Sequence, residues 1–288
     1  MTTTLVAIGY QDNWPQIISS SFMRNALIGG TIVALAAGVI GYFVVVRSTA
    51  FAAHALAHIG LPGATGAVLV GLPVALGLGV FCVGGALIIG ALGRRAADRE
   101  VATGTVLAMA TGLGLFFNSL ATRSSSTMTN VLFGNLLAIT HRQLLTFGLL
   151  LVLLTMSIGF IYRPLLFSSV NPQVAEAKGV PVRLLSVIFM TLLGLSVTMA
   201  VQAVGTLLLF ALIVTPAATA IMLTPRPIAA MVVATTISVL SVWLGLVVSA
   251  MFNLPPSFVI VTVACSVWAA VWAVERGLRP SGDRVLVT

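Results

Sequence analysis

Ionisable residues stand far apart in this chain, and the uncharged stretches between them are as long as a lipid bilayer is thick. Arg24 and Arg47 bracket one apolar run. Arg47 and Arg94 bracket a stretch with room for two, turning near Gly71-Leu72-Pro73, and Glu100 to Arg123 and Arg142 to Arg163 each hold one more. Arg183 to Arg226 has room for a pair broken near Gln202 to Gly205, and Arg226 to Glu275 for another pair around Asn253-Leu-Pro-Pro-Ser257. A spanning helix needs about 20 mostly apolar residues. Only 7% of the 288 residues are charged and 59% are hydrophobic, against about 25% charged in soluble domains. Backbone polar groups in lipid must be satisfied within the chain. The expected fold class is therefore an all-α integral membrane protein, a polytopic helical bundle with eight or nine apolar segments.

The expected organisation is an N-terminal tail over residues 1–21, a transmembrane domain over 22–276 and a cytoplasmic C-terminal tail over 277–288. The N-terminus lacks a basic stretch and is interrupted by Trp14-Pro15, so it does not read as a cleaved signal peptide. The net charge of +8 would suit nucleic acid in a soluble protein. Here the basic residues are single and dispersed between apolar runs, so they read as topology signals and no nucleic-acid partner is expected. Alternating loops divide the 14 Lys and Arg residues 11 to 3, with Arg24, Arg123 and Arg142 on the poorer side. The positive-inside bias then puts the loop bearing Glu176 and the C-terminus in the cytoplasm.

Several chemistries are excluded. There is no Walker-type glycine loop and the single lysine is Lys178, so the chain is not its own ATPase. No acidic residue lies within an apolar segment, which argues against a proton relay of intramembrane carboxylates. Cys82 and Cys265 lie in separate segments and have no metal-site spacing. No nucleophile motif stands out, so neither catalysis nor a resident cofactor is expected.

What remains is a pair of histidines. His54 and His58, in H-A-L-A-H, lie four apart and so on one face of a helix. The glutamate base of a metalloprotease is missing between them. Ionisable side chains inside a membrane are costly and mark function by default. Two imidazoles one turn apart can share a cation, but a stable site takes about four ligands, and two copies meeting on an axis would supply them. His141, next to Arg142, reads as an interfacial residue. Pro62-Gly63-Ala64-Thr65 and Pro216-Ala217-Ala218-Thr219 share a pattern, and interrupted helices are expected at Pro62, Gly63 and Pro216 near a transport pathway. The longest polar interval between spans holds N-P-Q-V-A-E-A-K-G-V-P at 171–181, which predicts a short helix stopped by Gly179 and Pro181. It cannot cross a bilayer, but it suits docking into a partner's groove.

Read together, these segments resemble the membrane subunits of zinc and manganese ABC importers, from Phe22 to Arg276. F-M-R-N-A-L-I-G-G at 22–30 is similar to that family's opening span. V-V-V-R at 44–47 leads into its G-D-A-L-S-H-A-x-L-P-G signature, here A53-H54-A-L-A-H58-I-G-L61-P62-G63. L-F-G-N-L-L-A-I at 132–139, A-V-Q-A-V-G-T-L-L-L-F-A-L-I-V-T-P-A-A-T-A at 200–220 and L-P-P-S at 254–257 also match. The resemblance implies the vitamin B12/metal-chelate type of importer permease. It makes 171–182 a coupling helix, with Glu176, Ala177 and Gly179 against an ATPase. It also implies separate ATPase subunits that bind ATP, an extracytoplasmic metal-binding protein, a second copy of this chain, and a multi-pass place in the bacterial plasma membrane. His58 falls on the signature histidine and His54 replaces its aspartate. Imidazole in place of carboxylate favours zinc over manganese, with iron also possible. The alternatives are an ATP-independent channel or secondary transporter, or a permease of the same fold for a metal chelate or other small solute.

Overall fold

The computed structural model describes residues 14–92, 96–120, 124–206 and 208–278, and those residues form helices and short connections without a strand. After a short α1 (Trp14–Ser19) come α2 (Ser21–Val46), α3 (Ala50–Leu69), α4 (Val74–Leu92), α5 (Ala96–Leu120) and α6 (Ser124–Phe133). A 3-10 turn at Leu136–Ala138 leads to α7 (His141–Val170), and α8 (Pro172–Ala177), α9 (Val182–Val204), α10 (Leu209–Leu223), α11 (Pro227–Phe252) and α12 (Pro256–Leu278) complete the described chain. The tail residues 1–13 and 279–288 lie outside the described residues.

Each of the nine apolar segments is a helix. Among the described residues, seven of them are long and apolar enough to cross a membrane: α2, α4, most of α5, α7, α9, α11 and most of α12. The other two differ for separate reasons. In α3 the histidines, glycines and proline dilute the apolar content of 20 residues. The 15 residues of α10 span about 22 Å at 1.5 Å per residue, short of a hydrocarbon core of about 30 Å.

α2 lies at the centre, packed against α11, α10, α7 and α9. α3 packs against α4, α5 and α9, and α9 joins that group to α2. At the junction Phe43 of α2 meets Tyr162 of α7 and Phe189 of α9 edge-on, with ring centroids 6.2 and 6.4 Å apart. Lipid supplies no hydrophobic force between helices, so close backbone approach does much of the work. A Cβ on Gly63 of α3 would stand 2.1 Å from the Gly77 carbonyl oxygen of α4, and one on Gly77 would stand 2.0 Å from that of Gly63. Only glycine fits on either side of this crossing.

Two sequence expectations about helix ends are corrected. The fifth apolar run does not stop at Arg163-Pro164: α7 continues for 30 residues to Val170. Its last turns are held by Leu165, 0% exposed, and Ser168, 2% exposed, which pack into the bundle. The helix breaks expected at Pro62, Gly63 and Pro216 are also absent, since α3 and α10 run through them. A proline in a helix deprives the carbonyl four residues earlier of its donor. For Pro216 that carbonyl is Leu212, and the Ser238 hydroxyl of α11 donates to it at 3.4 Å. The discontinuity lies where the sequence predicts one, near Gln202 to Gly205: α9 ends at Val204, and Gly205 takes φ +85° with its backbone against Gly134 (φ +73°). Thr206 N–H donates to the Val131 carbonyl there at 2.9 Å.

Candidate metal pathway

From Phe51 to Thr65 every residue of α3 is buried except Phe51, His54 and His58. Those three lie at helical spacing and form one stripe. Alanines at 52, 53, 55 and 57 let the other faces pack closely, as does Leu56. The two imidazoles are 4.8 Å apart between centroids, with planes 71° to each other. Phe210, from the start of α10, stands edge-on to His54 at 6.3 Å. Above His58 the stripe closes at Leu61, 4% exposed, and Thr65, 0% exposed.

Proline next to the pair adds a polar atom. Pro62 has no N–H, so the His58 carbonyl lacks its i+4 helical donor. Thr65 then donates its hydroxyl to the Leu61 carbonyl at 3.1 Å, and Thr219 in the matching P-A-A-T segment does the same to Thr215 at 2.8 Å. Threonines elsewhere in the helices, such as Thr155 and Thr235, make the same bond, and it does not reach the carbonyl that either proline leaves without a donor.

Among the described residues no three His, Cys, Asp or Glu side chains converge as a metal site. Among the described residues, one chain brings together His54 and His58 without a third strong metal ligand beside them. His141, at the start of α7, is exposed. Pro216 lies in α10, buried against the bundle.

The polar segment at 171–181 becomes α8. Asn171 caps it, its side-chain oxygen accepting from the Val174 N–H at 3.1 Å. Gly179 takes φ +80° just after it. Glu176, Ala177 and Gly179 are exposed. The side chains that spacing did not reveal are Phe210 beside His54 and Arg47 at the foot of α3. Neither carries a pattern: an apolar residue among apolar residues, and a lone arginine that reads as a topology mark.

A bundle of apolar helices with an imidazole stripe on an interior helix, and a short exposed helix between two spans, defines a multi-pass membrane permease. Residues 19–275 match the ABC 3 transport family, and the chain belongs to it. It is 32% identical over 274 residues to the "Manganese transport system membrane protein MntC" of Listeria monocytogenes, covering 94% of this chain and 98% of that one. It is 30% identical to the "Manganese import system permease protein ScaB" of Streptococcus parasanguinis, covering 81% of this chain and 83% of that one. Among solved structures, PsaBC from Streptococcus pneumoniae in complex with Fab superposes with a TM-score of 0.80 at 28% identity, over 90% of this chain and 94% of that chain. The structure titled "An inward-facing conformation of a putative metal-chelate type ABC transporter" shares the fold, with a TM-score of 0.64 at 15% identity, over 93% and 91% of the two chains. The chain is thus a metal-importer permease of the ABC class and a multi-pass protein of the bacterial plasma membrane.

Proposed function

We propose that this permease carries a divalent transition-metal ion inward past His54 and His58, in a complex driven by separate ATPase subunits. The observation that carries the reading is the stripe on α3, where the only accessible positions over four turns are Phe51 and the two imidazoles. One chain offers two nitrogen donors against a need of about four. Two copies facing each other across the pathway supply the rest, so the working unit is a homodimer. Sparse ligation suits a cargo that must be released. An extracytoplasmic binding protein delivers the ion, and the ATPases dock on α8 through Glu176, Ala177 and Gly179. Closure of the ATPases shifts the permease between outward- and inward-facing states.

Relatives named for manganese support that ion as cargo, and one named as a probable iron transport protein from Haemophilus influenzae widens the class. The donor set favours zinc, because imidazole nitrogen suits it better than it suits manganese. Competition decides between them: uptake of labelled manganese and labelled zinc from an equimolar mixture, in wild type and His54→Asp. A zinc preference in the wild type that moves toward manganese in the variant supports contact by His54. Uptake of neither ion, with uptake of a metal chelate instead, contradicts it.

A further inference from the structure

Arg47 stands where four parts of the bundle meet. It ends α2, and α3 begins three residues later. Its guanidinium donates from Nη1 to the hydroxyls of both Ser168 and Ser169, in each case at 3.1 Å. Those hydroxyls in turn donate to the Leu165 carbonyl at 2.9 and 2.6 Å, which turns their lone pairs toward the arginine. The guanidinium carbon also lies 5.2 Å from the centre of the Phe189 ring on α9. Arg47 therefore grips α7 just before α8 and α9 just after it.

Both sides of this grip are stiff. On the α8 side, Asn171 is at once the end of α7, its N–H donating to the Phe167 carbonyl at 3.1 Å, and the side-chain cap of α8. On the α3 side, Ser48 N–H donates to Val45 and Thr49 N–H to Val44, at 3.0 and 2.9 Å, with Ser48 at φ +52°. This is a Schellman turn, which closes the carbonyl end of a helix with two bonds. The buried Thr49 hydroxyl adds a third bond to the Val44 carbonyl at 3.2 Å. The α2–α3 corner cannot bend easily, so a pull on Arg47 moves the start of α3, with His54 about one turn further on.

We infer that Arg47 is the joint that transmits movement of α8 to the histidine-bearing helix α3. It is a positioning residue and touches no cargo. The inference rests on the proposal that α8 is the element the ATPases move. Charge-assisted bonds to two hydroxyls hold direction as well as distance, which an apolar contact would not do.

The test uses the full complex in proteoliposomes and reads two quantities, ions imported per ATP hydrolysed and co-purification of the ATPase. Arg47→Met and the double change Ser168→Ala, Ser169→Ala are compared with Arg47→Lys and Glu176→Lys. With assembly intact, the first two are expected to lower the ratio about tenfold, within the usual range of coupling between sites, while ATP hydrolysis continues. Arg47→Lys keeps the charge and restores part of the ratio. The serine pair keeps the test valid should Arg47→Met fail to fold. Loss of ATPase binding in Glu176→Lys reports separately on the docking role of α8. An unchanged ratio in both Arg47→Met and the serine pair overturns the joint, whatever Glu176→Lys does.

Discussion

Replacing Gly63 by alanine tests whether the pathway helix is positioned by backbone contact. The added Cβ would lie 2.1 Å from the Gly77 carbonyl oxygen, 2.7 Å from its carbon and 2.9 Å from Phe81 Cβ. Ordinary contact begins near 3.4 Å, so the shortfall against the oxygen is 1.3 Å (3.4 minus 2.1). Two of the three opposing atoms are backbone, and no rotamer change relieves them. The helices must part by about 1 Å, and a gap of that size forfeits a quarter to a half of each dispersion contact it opens. Overpacking of this kind costs about 1–3 kcal/mol, against a gain of about 0.5–1 kcal/mol from Gly to Ala in a helix. Because the overlap is with backbone, the cost sits at the upper end of that range, and the net expectation is a loss of about 2 kcal/mol (about 3 minus about 1), or about 4–8 °C in Tm at 2–4 °C per kcal/mol. Gly84, on the same α4 as Gly77, has nothing within 4 Å of its would-be Cβ and is the control. Thermal unfolding in detergent should show Gly63→Ala and Gly77→Ala well below wild type, with Gly84→Ala at or above it. Equal Tm values for all four proteins would refute the reasoning.

Further outcomes follow from the site and its supports. Metal uptake should fall as external and internal pH are lowered together from about 7.5 to about 5.5, because protons compete with the cation for imidazole nitrogen; a flat profile in ATP-driven uptake counts against metal contact by the histidines. Asn171→Ala removes the cap of α8 and should cost about 1 kcal/mol of local order, seen as weaker retention of the ATPase at unchanged folding yield. Ser238→Ala strips the Leu212 carbonyl of its hydroxyl donor at a position 0% exposed. An unsatisfied buried acceptor costs about 1–3 kcal/mol, so Tm should fall. A Tm equal to wild type would show that α10 tolerates Pro216 without that bond.

Much of the bundle was legible because charges are expensive in lipid. The nine apolar segments between isolated arginines are nine helices, and Asn171-Pro172 with Gly179-Pro181 bounds a short helix because cap, proline and left-handed glycine act locally. Histidines four apart fall on one stripe for the same local reason. The prolines misled where tertiary contacts decide. Nothing near Pro216 in sequence announces that Ser238, on another helix, will serve the carbonyl it strands. Leu165 and Ser168 extend α7 past Arg163 only because the bundle buries them. Arg47 reads as a membrane-edge charge until Ser168 and Ser169, more than a hundred residues away, are brought beside it. Gly63 and Gly77 look like any small residues until their backbones cross.

The most direct test of the central claim is radiolabelled manganese and zinc uptake into proteoliposomes holding this permease with its ATPase and binding protein. Wild type is compared with His58→Ala, with and without ATP. Uptake that requires ATP and is lost in His58→Ala, while the ATPase still co-purifies, is the predicted result. Uptake that proceeds without ATP, or ATP-driven uptake indifferent to His58→Ala, would contradict a metal pathway built on α3.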